Sequence, residues 1–128
     1  MDGAFKVLES ENETSSAQQK DNLLLSEDYM SYVGDIAIPL GLKSDGSTII
    51  EDFGNIPHAL VSGCTGSGKT SFVQMMLAVM CEKYTSEEIE ICIYDSKGVE
   101  YLPFRSVPHL SHPISNNQDT AMEIIDYL

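Results

Sequence analysis

Basic residues are scarce in this chain: seven Lys and Arg stand against 20 Asp and Glu, a formal net charge of −13 over 128 residues. A nucleic-acid grip normally shows as a basic patch, because each phosphate contact needs a cation. This segment therefore does not itself supply such a grip. Long apolar runs are also missing. The longest, Met75-Met76-Leu77-Ala78-Val79-Met80, is far short of the roughly 20 residues that a membrane-spanning helix needs. The first residues, "MDGAFKVLESENETSS", are acidic and polar and lack the basic start and apolar centre of a signal peptide. Cysteine is sparse as well. Cys64, Cys81 and Cys92 form no CxxC pair and no zinc spacing with histidine, which excludes a disulfide framework and fits reduced thiols in the cytoplasm.

What is present begins with "LVSGCTGSGKTSF", Leu60 to Phe72. Gly63, four residues, then Gly68-Lys69-Thr70 satisfies the phosphate-binding pattern G-x-x-x-x-G-K-[ST]. Glycines let the loop adopt backbone angles closed to other residues and let phosphate oxygens approach its N–H groups. The helix that follows aims its positive end at the same point. Gly63, Cys64, Thr65, Gly66, Ser67, Gly68, Lys69, Thr70 and Ser71 are the candidate nucleotide-binding residues. Lys69 would reach the β- and γ-phosphates of ATP, and the Thr70 hydroxyl would ligate Mg²⁺. A chance match costs on the order of 4 in 100,000 per position, roughly half a percent for a chain this long. The surroundings weigh further against chance. Ala59-Leu60-Val61 reads as a short buried strand, and "SFVQMMLAVMCEKY" as a mostly buried helix from Ser71 to about Lys83.

The hydrophobic content of 42% suffices for a core, and the length allows one domain at most. Residues 1–30 read as a polar linker, largely disordered, with one apolar cluster at Leu23-Leu24-Leu25. Residues 31–128 read as the folded portion. A hairpin is predicted there, with strands through Ile36–Leu40 and Ile49-Ile50 around a Ser44-Asp45-Gly46 turn. "IEICIYD" predicts a buried strand from Ile89 to Asp95, and "DTAMEIIDYL" an amphipathic helix from Asp119. The helix runs to Leu128 without a capping residue, so a piece of a longer protein is expected. Strand–loop–helix–strand order predicts an α/β fold with a mainly parallel sheet preceded by the hairpin. His58 and His109, each following a proline, read as packing or backbone-bonding residues, and His112 as exposed. Arg105 reads as an ordinary surface arginine, and Glu87, Glu88 and Glu90 as a solvated face.

Pattern alone nominates Asp95 as the Mg²⁺ partner, since it ends an apolar strand; Ser96 follows it, so no catalytic glutamate sits beside it. A resemblance changes that assignment. "IPHALVSGCTGSGKTSF" followed by "IYDSKGVEYLPFRSVPHL" closely resembles the FtsK/SpoIIIE family of RecA-like hexameric P-loop motors. The shared features are Pro57-His58, the Gly63 to Thr70 loop, Asp95-Ser96-Lys97 with Glu100, and Pro108-His109-Leu110. Cys64 stands where alanine is commoner in that family. The resemblance implies ATP and Mg²⁺ as cofactors, self-association into a ring, and double-stranded DNA as cargo held by other parts of the protein. It implies a cytoplasmic motor, with any membrane anchor outside this chain. It also implies that the Asp-Glu pair lies on a later strand, which leaves Asp95 and Lys97 beside the site rather than in it. Type VII secretion ATPases carry similar motifs, so a protein-moving motor is an alternative; a non-hydrolysing nucleotide-binding module is another. With the Asp-Glu pair elsewhere, the 128 residues alone should bind Mg-ATP weakly and show negligible turnover. A phosphate-release assay checks this, and robust hydrolysis would restore Asp95 as a catalytic candidate.

Overall fold

A computed structural model describes residues 26–56 and 58–127. Most of the expected polar linker, with its Leu23-Leu24-Leu25 cluster, lies outside the described residues, as do Pro57 and Leu128. Residues 26–30, the end of the expected linker, are among those described. Helix α1, Glu27–Ser31, starts where the Ser26 side chain accepts the Tyr29 amide, and it carries Glu27 and Asp28 in its first turn. Acidic residues at that end complement the helix dipole. Tyr29 is fully buried, and its hydroxyl donates to the Ala37 carbonyl at 3.3 Å.

The predicted hairpin forms as β1, Ala37–Leu42, paired antiparallel with β2, Thr48–Asp52. At the turn, Asp45 accepts from both the amide and the hydroxyl of Ser47. Gly46 takes the left-handed φ of 87° that the connection requires. The register shifts between Pro39 and Gly41, a bulge that leaves Leu40 unpaired opposite β2. At the open end the Asp52 carboxylate accepts from the amides of Asp35, Ile36 and Gly54, which fixes where the chain enters and leaves the hairpin.

Helix α2 spans Lys69–Lys83, two residues earlier than the sequence suggests. Its composition is apolar on all sides, a pattern that demands cover on more than one face. Met75 and Val79 pack with Tyr29, Ala37 and Ile50 on the hairpin side. Leu77, Ala78, Met80 and Cys81 pack against Ile89, Ile91, Ile93 and Phe104 on the other. Among its residues only Val79 is fully buried, so the expected mostly buried helix is half-covered within the described residues.

The segment from Ile89 to Asp95 is extended and pairs in parallel with residues 110 and 115 through two isolated bridges, Ile91 with Leu110 and Tyr94 with Ser115. Burial alternates along it. Ile89, Ile91, Ile93 and Asp95 face inward, while Glu90 and Tyr94 are exposed. The buried-strand reading is thus corrected to a segment buried on one face. These parallel bridges are what the described residues show of the expected parallel sheet. The strand read at Ala59-Leu60-Val61 is also corrected: residues 58–64 form no regular element and no pairing among the described residues, and Leu60 is 91% exposed. A strand exists only by pairing, and no described backbone pairs with this one. A 3₁₀ turn at Leu102–Phe104 leads to helix α3, Gln118–Tyr127, whose start is capped by the Asn117 side chain accepting the Asp119 amide. No described helix is long and apolar enough to cross a membrane.

Tyr84, just past α2, ties both sides of the helix together. Its hydroxyl accepts the Ala37 amide at 2.6 Å, and its carbonyl takes a hydrogen bond from His109 Nε2 at 2.8 Å. Lys83 donates to the carbonyls of Tyr29 and Tyr32 and lies over the Tyr29 ring, 4.4 Å from its centroid. Tyr29→Ala should therefore destabilise the fold by about 3 kcal/mol, the scale of an aromatic core truncation. Met30→Ala, at a neighbouring exposed position, should stay within about 0.5 kcal/mol. Urea unfolding of the two variants checks the contrast.

Candidate phosphate-binding site

The candidate loop runs from Gly63 to Gly68 and enters α2 at Lys69. Its shape follows from its glycines. Gly66 and Gly68 take left-handed φ values of 82° and 86°, which a side chain would strain. Gly63 is placed differently: a Cβ there would meet Ser67 Oγ at 2.6 Å and oblige that side chain to rotate away. Gly68 occupies the position before the helix and offers no side-chain cap, and the first turn holds no acidic residue. The first amides of α2 therefore keep no side-chain cap at that end; the Glu100 carboxylate reaches the first turn from another loop but meets the Thr70 hydroxyl rather than an amide. Cys64, Thr65, Ser67 and Ser71 are all exposed along the same stretch. Lys69 Nζ donates to the carbonyls of Gly63 and Cys64, both at 2.8 Å. That holds the ammonium at the mouth of the loop, where it can be transferred to a phosphate.

Beside the loop lies a cleft of about 540 Å³ between the hairpin and the first turns of α2. Leu40, Phe53, Leu60, Phe72 and Met76 line it, with Lys69 at its edge. The residues that were expected to form a buried strand thus form a wall of this cleft instead.

The loop of residues 95–101 closes on the other side of α2. Asp95 ends the extended segment and is 6% exposed. Its carboxylate accepts the amides of Lys97 at 3.0 Å and Glu100 at 2.8 Å, and its carbonyl accepts that of Gly98 at 2.9 Å. Burial by itself would raise the Asp95 pKa, but the amides of Glu100, Lys97, Gly98 and Tyr101 together outweigh it and hold the carboxyl below its ordinary value. Asp95 thus shapes its own turn and contacts no residue of the phosphate loop. Lys97 extends to Glu100 as an ion pair. Glu100 in turn reaches the loop: its Oε2 accepts the Thr70 hydroxyl at 3.0 Å, and its carbonyl accepts the Gln74 side chain. Lys97 foremost, then Thr70, hold the Glu100 carboxyl below its usual range.

Of the residues read from the sequence, Gly63 to Ser71 come together as one loop and first turn. Asp95 and Lys97 lie behind it, joined to it by Glu100. Glu100 stood in the sequence motif without a role; only the fold shows that a carboxylate 30 positions along the chain meets Thr70. The histidines divide. His109 is buried, with Nε2 on the Tyr84 carbonyl and Nδ1 without a partner. The packing role read for His58 is corrected, since His58 is exposed on an unpaired segment. His112, read as exposed, is instead partly covered, with its ring 4.7 Å from that of Tyr127. No group of three or more His, Cys, Asp or Glu among the described residues could hold a metal ion. A metal at this site would therefore depend on Thr70 together with ligands brought by the nucleotide.

Because the folded Asp95 carboxyl titrates below the ordinary value of about 3.9, its contribution to stability is present above that value and is lost as pH falls through the lowered one. The urea midpoint of Asp95→Asn should accordingly change less between pH 5 and pH 2.5 than that of the unsubstituted protein; equal slopes would remove Asp95 from the account.

The model of the FtsK/SpoIIIE family matches residues 22–128. The chain is similar to DNA translocase FtsK of Mycobacterium tuberculosis strain H37Rv, 38% identical over 93 residues, covering 73% of this chain and 11% of that protein. It is similar to DNA translocase FtsK of Borreliella burgdorferi, 32% identical over 112 residues, covering 84% of this chain and 14% of that protein. It is also similar to DNA translocase SftA of Bacillus subtilis strain 168, 26% identical over 121 residues, covering 94% and 13% respectively. The matched stretch thus spans only 11 to 14% of the length of these relatives.

Proposed function

The chain belongs to the FtsK/SpoIIIE family, and on that premise we propose that it is the nucleotide-binding part of an ATP-driven, ring-forming motor that moves double-stranded DNA. The observation that carries the reading is the Gly63–Thr70 loop at an uncapped helix N-terminus with no acidic residue in its first turn. That arrangement suits a polyphosphate and little else. The relatives are each named a DNA translocase, which favours DNA over a protein cargo. The net charge of −13 supports a reading in which the DNA contacts lie on other parts of the full-length protein.

In this reading the loop amides and Lys69 bind the phosphates. Moving from the Gly63 and Cys64 carbonyls to phosphate, the Lys69 ammonium exchanges two neutral acceptors for anionic ones, which strengthens each bond. The Thr70 hydroxyl would hold Mg²⁺ with the nucleotide, and the ion would supply positive charge against the phosphate oxygens. The fit is supported by the two left-handed glycines and by the contact that a Cβ at Gly63 would make. Asp95 is taken by its own turn and Glu100 by Thr70 and Lys97, so neither is free to orient the attacking water. In this reading water activation falls to residues of the full-length protein outside this segment. The parallel sheet of a RecA-like domain is the fold proposed for that whole.

The test is the ATPase rate of the full-length protein with and without double-stranded DNA at two salt concentrations. Stimulation by DNA that weakens at high salt is expected. Lys69→Ala should lower nucleotide affinity about 10- to 100-fold, the scale of a hydrogen bond to a charged group, and should stop translocation. Unstimulated turnover, or movement unchanged by that substitution, would count against the motor.

A further inference from the structure

We propose that Glu100 is a positioning residue for Mg²⁺, acting through Thr70: its carboxylate takes the Thr70 proton and thereby turns the hydroxyl lone pairs toward the metal. The inference rests on the nucleotide reading given above and assigns a role to a residue that this reading leaves unused.

The chemistry follows from the donor and acceptor inventory. A threonine hydroxyl has one proton and two acceptor sites, and an ionised carboxylate can only accept. At 3.0 Å from Glu100 Oε2 the hydroxyl must therefore be the donor. A metal ligand needs a lone pair, so a hydroxyl whose proton is already held elsewhere is prepared for the ion. Were the proton free to rotate, part of the time it would point at the cation. The negative charge of Glu100 lies one atom behind the ligand, where it also favours a cation over an unaccompanied phosphate.

Glu100 is itself held firmly enough to do this. Its amide donates to Asp95 Oδ2 at 2.8 Å, and its second carboxylate oxygen pairs with Lys97. Its carbonyl accepts the Gln74 side chain, and Gln74 lies four residues after Thr70 on the same face of α2. Two contacts to its own loop and two to the helix leave the carboxylate little freedom. The known effect of such supporting groups on metal sites is about 10- to 100-fold in affinity. The same contacts allow a purely structural role, in which Glu100 fastens the 95–101 loop to α2 together with Gln74.

The experiment titrates a fluorescent ADP analogue into the full-length protein, once in EDTA and once in excess Mg²⁺. Glu100→Gln should weaken binding about tenfold in Mg²⁺ and leave it equal or tighter in EDTA, because an anion has been removed from beside the phosphates. In a Thr70→Ala background, where the hydroxyl is gone, adding Glu100→Gln should cost nothing further in Mg²⁺. Gln74→Ala, which loosens the loop without touching the hydroxyl, should change both buffers alike. Equal losses for Glu100→Gln in the two buffers, no loss in Mg²⁺, or a loss that persists without Thr70 would each overturn the proposal while leaving nucleotide binding intact. Failure of the unsubstituted protein to bind the analogue in either buffer would overturn the nucleotide reading itself, and this one with it.

Discussion

Helix α2 is apolar around its whole circumference, and the rest of the structure is arranged to cover it. The hairpin and α1 pack on one side through Tyr29, Ala37 and Val79. The isoleucines of the extended segment pack on the other with Phe104. Burying each such side chain contributes roughly 1.5–3 kcal/mol, more than any surface ion pair could. The helix is consequently fixed in direction, and so is the point where its N-terminus emerges. That point is the phosphate loop. Core packing and site geometry are in this sense one constraint.

Tyr84 and Lys83 show how polar groups serve that constraint. Tyr84 joins Ala37 on the hairpin to His109 in the loop after the extended segment, closing both clusters around the end of α2. Lys83 lies at the same end, with its ammonium among tyrosine rings and on two carbonyls of the α1 region. A cation belongs at a helix C-terminus, where the dipole is negative. At the opposite end no side chain caps the first amides, and Glu100 meets the Thr70 hydroxyl instead. One helix thus has one end that builds the fold and another whose amides are available to a ligand.

Asp95 and Glu100 illustrate why a carboxylate's role cannot be read from its place at the end of a strand. Both follow the same apolar run, five residues apart. Asp95 turns back on its own backbone and organises the loop. That loop then delivers Glu100 to Thr70. Position after a strand points to the first residue; the hydrogen bonds select the second.

The sequence by itself determined the phosphate loop, the hairpin turn, and the existence of α2 and α3. These depend on neighbours within a few residues: glycines where φ must be positive, Asp45 beside Ser47, and an unbroken apolar run after Thr70. The tertiary structure alone decided which surfaces were covered. Ala59 to Val61 has the composition of a strand, yet among the described residues it lies unpaired and exposed. The Ile89 to Asp95 run looks uniformly buried in composition, but only alternate residues face the core. The meeting of Thr70 with Glu100 was likewise beyond any local signal. A hydrogen bond across 30 residues depends on how α2 and the extended segment pack, and only the shared core between them sets that distance.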